Sequence, residues 1–241
     1  MVNWIFLILA LFAEIMGTVG GFGSSVFFVP LGNFYFDFYS VLGITALFHL
    51  SSNISKVFLF KKGIDKKLIL YIGLPSVLFV SLGGWLSKHI STTYLELGLS
   101  IFLIGLSSLF LIKKHWVIKP TKTNSVYGGV FSGFSAGLLG TGGAIRGLTM
   151  AAFNLEKSVF IATSAIIDLM IDSTRTIVYF NNGYMHSHDF IYIPFLFLVG
   201  LVGSYIGKRL LHFIPQTVFK TISLILILIV GILSLLSYLI Q

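Results

Sequence analysis

The chain of 241 residues is 56% hydrophobic and 10% charged, with a mean hydropathy of +0.97. Soluble globular domains carry about a quarter charged residues, so an ordinary soluble domain is excluded. No cysteine is present, which removes disulfides, thiolate haem ligation and iron–sulfur clusters. The net charge of +8 would suit a nucleic-acid binder, but the basic residues stand at the ends of apolar runs. That is the pattern of membrane topology, and no nucleic-acid partner is expected.

In chain order, a broken apolar region at 4–36 is followed by apolar runs at 39–60, 68–86 and 93–112. A second broken region at 126–153 is followed by runs at 159–180, 190–211 and 218–239. Each unbroken run has about the 20 residues that one bilayer crossing takes. The broken regions are interrupted near their middles by Gly17, Gly20, Gly21 and Gly23, and by Gly137, Gly140, Gly142 and Gly143. Arms of about 10–16 residues are the length of re-entrant segments. The first run lacks a basic leader and shares its glycine break with 137–143, so it reads as membrane structure and not as a cleaved signal.

The order is broken unit, three spans, broken unit, three spans. At an offset of 120, Gly17, Gly20, Gly23, Gly63, Gly83 and Lys88 fall on Gly137, Gly140, Gly143, Gly183, Gly203 and Lys208. A shared segment order at constant offset marks an internal repeat. One transmembrane domain, 1–241, is expected, with repeats at 1–114 and 125–241 joined by a basic connector at 115–124.

Charge orients the repeats. If each broken unit enters and leaves on one side, Lys61, Lys62, Lys66, Lys67, Lys113, Lys114, Lys119, Lys122, Lys157, Lys208, Arg209 and Lys220 all face the cytoplasm. Lys88 alone then faces outward. A single crossing by each broken unit divides the charges far more evenly. The positive-inside rule selects the first arrangement, with the loop 181–189 and both termini outside. The expected fold is an all-α integral membrane protein of two inverted repeats, each a glycine-broken re-entrant hairpin plus three transmembrane helices.

Three basic residues, Lys56, Arg146 and Arg175, lie within apolar regions. An ionisable group at bilayer depth costs ~2.5–3.5 kcal/mol on the insertion scale, so it is a functional candidate by default. Thr45, His49, Asn53 and Lys56 share the spacing 4, 4, 3 with Ser164, Asp168, Asp172 and Arg175. At about 100° per residue each set spans roughly 80° of arc, one polar stripe facing the bundle interior. These positions, with the buried Glu14, are candidates for coupling or gating. Lys56 can instead snorkel to the surface. Arg175 can form a structural pair with Asp172 at i+3.

Arg146 follows the Gly142-Gly143 break. A break in a membrane helix frees backbone N–H groups, and a half-helix N-terminus attracts an anion. A guanidinium nearby offers two-point recognition of an oxyanion. Gly20, Gly21, Gly23, Ser24 and Ser25 in the first break, and Gly140, Thr141, Gly142, Gly143 and Arg146 in the second, are therefore candidate binding residues for a small anion. The alternative places Arg146 at the cytoplasmic surface. Gly129, Gly133 and Gly137 form a ladder of helix packing. His186 and His188 beside Asp189 have a spacing common by chance, and no metal is expected. No nucleotide-binding or hydrolase motif is present, so neither a cofactor nor enzymatic activity is expected.

Two glycine-rich breaks, Gly17-Thr-Val-Gly20-Gly21-Phe22-Gly23…Pro30 and Gly137-Leu-Leu-Gly140-Thr141-Gly142-Gly143, with Ala162-Thr163-Ser164 heading a later span, resemble the sulfite exporter TauE/SafE family over essentially the whole chain. The sequence departs from that pattern at Ser24-Ser25, where more glycine is usual, and at Met150, where a proline would match Pro30. The resemblance implies secondary transport of a sulfur oxyanion or organosulfonate, coupled to protons, in the bacterial cytoplasmic membrane. It implies a small anionic substrate and the lipid bilayer as partners, and no particular oligomeric state. A passive anion channel is the first alternative. An intramembrane enzyme using His49 with Asp168 as an acid–base pair is the second.

Overall fold

A computed structural model describes residues 2–21, 23–60, 63–113, 118–153, 155–211, 213 and 216–240, with backbone alone at 216–220, 222–223 and 240. The described residues form helices without strands. Helix α1 is Trp4–Gly20, α2 Ser25–Gly32, α3 Phe38–Leu59 and α5 Thr92–Ile112. Helix α4, Lys66–Ser87, runs through a π turn at Ile69–Gly73. The turn lies just ahead of Pro75, which lacks an N–H and crowds the carbonyl four residues back. After the connector come α6 Lys122–Leu139, α7 Gly143–Ala151, α8 Lys157–Asn182, α9 Ile193–Leu210 and α10 Gln216–Ile240. Among the described residues, four stretches have the length and apolarity to cross a membrane: Phe38–Leu59, Lys66–Ser87, Thr92–Ile112 and Asp189–Leu210.

Both broken regions fold as antiparallel hairpins. Helices α1 and α6 stop because Gly21 and Gly140 take left-handed φ values of 70° and 75°, open to glycine without strain. In the first hairpin Glu14 touches Ser24 and Phe6 packs on Phe28. In the second, Ser132 Oγ donates to the Gly142 carbonyl at 2.9 Å, and Gly128 lies against Thr149. The arms differ from expectation: 17 and 8 residues in one hairpin, 18 and 9 in the other. The glycines that stop the first arm stand late in each apolar run, so it grows to about 25 Å at 1.5 Å per residue.

The principal helix pairs keep their pattern when the halves are exchanged. Helix α1 packs on α9 as α6 packs on α4; α3 packs on α9 as α8 packs on α4; α3 meets α8, and α5 meets α10. The glycine ladder is a packing device, as expected: Gly129, Gly133 and Gly137 press against the backbone of Ile72, Ser76 and Val80. Between α1 and α9 the small residues sit on α9, where Gly203 and Gly207 receive Glu14 and Thr18. Close backbone approach maximises dispersion contact where lipid offers no hydrophobic drive.

Candidate functional site

The tips of the hairpins meet inside the bundle. Ser25 Oγ donates to Thr141 Oγ1 at 3.3 Å, and Gly23 lies beside Arg146 and Gly143. Ser24, Ser25 and Thr141 are all buried. Helices α2 and α7 begin at these tips; the Ser24 side chain makes no capping bond to α2, and the N-cap of α7 is Gly142, which has no side chain to cap with.

Around the tips stand three ion pairs. Glu14 of α1 is fully buried; its Oε1 lies 2.8 Å from Lys56 Nζ and accepts from Thr18 and Ser204 at 3.0 and 2.9 Å. Its Oε2 accepts from Ser24 Oγ at 2.6 Å. In the second pair Arg146 of α7 forks onto Asp168 of α8, with Nη1 on Oδ1 and Nη2 on Oδ2, the latter at 2.6 Å. Arg146 Nε donates to Ser164 Oγ at 3.1 Å. In the third, Arg175 Nε lies 2.8 Å from Asp172 Oδ1 in a contact too bent to count as a hydrogen bond. Asp172 Oδ2 accepts from Asn53 Nδ2 at 2.7 Å, and Arg175 Nη1 donates to the Gly140 carbonyl at 2.8 Å.

His49 joins the first pair to the third. Arg175 Nη2 stands 3.1 Å from its Nδ1, and a guanidinium can only donate, so Nδ1 accepts. The proton of the neutral ring is then on Nε2 and points to Ser24 Oγ at 3.0 Å, which in turn donates to Glu14. A continuous chain of hydrogen bonds and ion contacts therefore runs from Asp172 through Arg175, His49 and Ser24 to Glu14 and Lys56.

Beside this chain lies a small cavity of about 20 Å³, lined by Gly21, Gly23, Lys56, Phe160, Ser164 and Asp168 among others. That volume holds about one water. Phe160 closes over Gly21, and the Asp168 side chain is 19% exposed, against 2% for Arg146 and 4% for Asp172.

Most residues singled out in the sequence come together here: Glu14, His49, Asn53, Lys56, Ser164, Asp168, Asp172 and Arg175 from the polar sets, and Gly21, Gly23, Ser24, Ser25, Gly140, Thr141, Gly143 and Arg146 from the breaks. Lys56 is buried and does not snorkel, and Arg146 is away from the surface. Three expectations change. Arg146 is not free for a ligand, because Asp168 already holds its fork. Thr45 turns back onto its own helix, donating to the Val41 carbonyl at 2.6 Å. Gly142 gains a packing role: a side chain there would strike the Ser132 carbonyl of α6. Gly20 is the last residue of α1, directly before the left-handed Gly21. Sequence reading missed Thr18 and Ser204 as partners of Glu14, and Phe160 as the cover of the cavity. None of them breaks a local pattern.

The six charges balance: three acids answer three bases, all within the bundle. Such a core pays its desolvation through pairing and bonds to uncharged groups. A family model for the sulfite exporter TauE/SafE matches residues 6–234. Over 222 residues the chain is 26% identical to a protein of Methanocaldococcus jannaschii described as a probable membrane transporter, with 84% of this chain and 82% of that one covered. With its apolar spans, its paired interior charges and a family match over nearly its whole length, the chain is an integral multi-pass membrane protein and belongs to the sulfite exporter TauE/SafE family of membrane transporters.

Proposed function

We propose that this protein is a proton-coupled secondary transporter of a small sulfur oxyanion or organosulfonate, built as two inverted repeats in the bacterial cytoplasmic membrane. The observation that carries the reading is the forked Arg146–Asp168 pair at the hairpin tips, beside the cavity. With every interior base already paired, a bare anion entering the site would add an unbalanced charge. A proton on Asp168 removes that imbalance and leaves Arg146 with an open fork, the geometry that suits an oxyanion. The first amides of α2 and α7 supply further donors. Anion and proton then occupy the site together. The description of the matched family as a sulfite exporter supports a sulfur oxyanion as the class of substrate.

Transport in proteoliposomes tests this. Wild-type sulfite flux should follow an imposed pH gradient. Asp168→Asn leaves Arg146 without an anionic partner at every pH, so binding should persist while the response to the gradient flattens. An unchanged gradient response in Asp168→Asn would overturn the coupling. Flux without proton movement in the wild type would favour the channel.

Positive-inside counting carries the topology. The chain has no native cysteine. A cysteine at Ser187 should therefore react with an impermeant thiol reagent added outside intact cells, and one at Lys119 should not. The reverse pattern would overturn the inverted arrangement.

A further inference from the structure

At the end of the bundle where α3 starts and α8 stops, four side chains converge that the transport site does not use. Asp37 is the N-cap of α3, while His186, His188 and Asp189 come from the loop after α8. His188 Nε2 lies 3.2 Å from Asp189 Oδ1. His186 Nδ1 lies 3.6 Å from Asp189 Oδ2 and 4.0 Å from Asp37 Oδ2. Nitrogen and carboxylate ligands placed ~2.0–2.2 Å from a tetrahedral ion stand roughly 3.3 Å apart. Asp37, His186 and His188 offer ligand atoms within 4.8 Å of one another, and Asp189 adjoins His188. Gathering the groups around one ion therefore takes shifts of about 1–2 Å. The two imidazole rings are stacked, with planes parallel to within 4° and ring centres 5.5 Å apart.

Asp189 adds a second observation. Its side chain is 3% exposed, and its Oδ2 accepts from Ser40 Oγ at 3.0 Å and from the His186 amide at 2.8 Å. Its Oδ1 is buried and receives no hydrogen bond, although it faces His188. A buried carboxylate oxygen without a donor is unfavourable unless something electropositive completes it. Asp37 is divided in the same way: Oδ1 caps the Ser40 amide at 3.1 Å, and Oδ2 is the oxygen nearest His186.

We propose that Asp37, His186, His188 and Asp189 form a binding site for a divalent transition-metal ion of the Zn²⁺ type. Two imidazoles disfavour Ca²⁺ and Mg²⁺, which take oxygen ligands, and two carboxylates balance the ion's charge. Ser40 Oγ is 2.8 Å from His186 Nδ1. The one hydroxyl proton of Ser40 is already given to Asp189 Oδ2, so the serine keeps that carboxylate oriented when the nitrogen turns its lone pair to the metal. The ion would tie the start of α3 to the loop that ends α8, the two helices that carry most of the interior charges.

Calorimetric titration of chelator-treated protein in detergent with ZnCl2 tests the site, with Co²⁺ absorption reporting the ligand set. One saturable site per chain is expected, together with a rise in Tm on adding zinc. His186→Ala and His188→Ala should each weaken zinc binding at least about tenfold, while keeping the metal-free Tm. Asp37→Asn retains the capping acceptor and should also weaken binding. Absence of saturable binding would overturn the proposal, as would equal zinc affinity in the His186→Ala/His188→Ala double variant.

Discussion

The two hairpins follow the same path yet carry opposite ion pairs. In the first the acid, Glu14, stands on the hairpin and the base, Lys56, on the neighbouring span; in the second the base, Arg146, is on the hairpin and the acid, Asp168, on the span. The pairs do not occupy repeated positions, since an offset of 120 sets Val26 against Arg146 and Phe134 against Glu14. Their surroundings differ more than their chemistry. Glu14 is fully buried and held by Lys56, Thr18, Ser24 and Ser204. Among the described residues the Asp168 carboxylate is held by Arg146 alone, and it is 19% exposed at the cavity. A carboxylate with four partners is a fixed joint. One with a single partner, partly exposed at a cavity, is the carboxylate to which the proposed mechanism assigns the proton.

The sharpest way to break this contrast is to remove the anchor. Glu14→Ala leaves Lys56 as an uncompensated buried charge, and thermal unfolding in detergent should show a loss of ~3–5 kcal/mol. The double variant Glu14→Gln/Lys56→Met should recover most of that loss, because a neutral pair of similar volume replaces the ions. If Glu14→Ala were as stable as the wild type, the first pair would not be an anchor.

On the other hairpin the expected loss falls on ligand affinity. Arg146→Gln should weaken binding of the best sulfur anion by ~1.5–3 kcal/mol, roughly ten- to a hundredfold. Arg146→Lys should restore part of this but not the planar two-point contact. Equal affinity in all three proteins would remove Arg146 from the substrate.

The finest comparison uses two serines. Ser204→Ala removes one of the four groups on Glu14 and should lower stability by about 1 kcal/mol with affinity unchanged. Ser164→Ala removes the acceptor of the Arg146 Nε hydrogen bond and should change affinity more than stability. The opposite assignment of the two effects would erase the difference between anchor and site.

Both hairpin breaks were legible because their cause is local: a glycine in the left-handed region ends a helix wherever it stands. The polar stripes of α3 and α8 were legible for the same reason, being periodic along one helix. The packing role of Gly142 was not legible because its neighbour, Ser132 on α6, is defined only once the hairpin folds back. The first arms were underestimated because an apolar run extends unchanged up to the glycine that stops it.

The sequence by itself determined that the chain spans a membrane, where its helices break and which residues are too polar to face lipid. These follow from composition, period and single-residue conformational preference, all local quantities. Only the tertiary structure decided who pairs with whom: Glu14 with Lys56 and Ser204, Arg146 with Asp168, His49 with Arg175, and Asp37 with His186. Those choices depend on how each helix is rotated about its axis and how deep it sits against its neighbours. Packing of glycine against distant backbone sets both, and no local pattern records it.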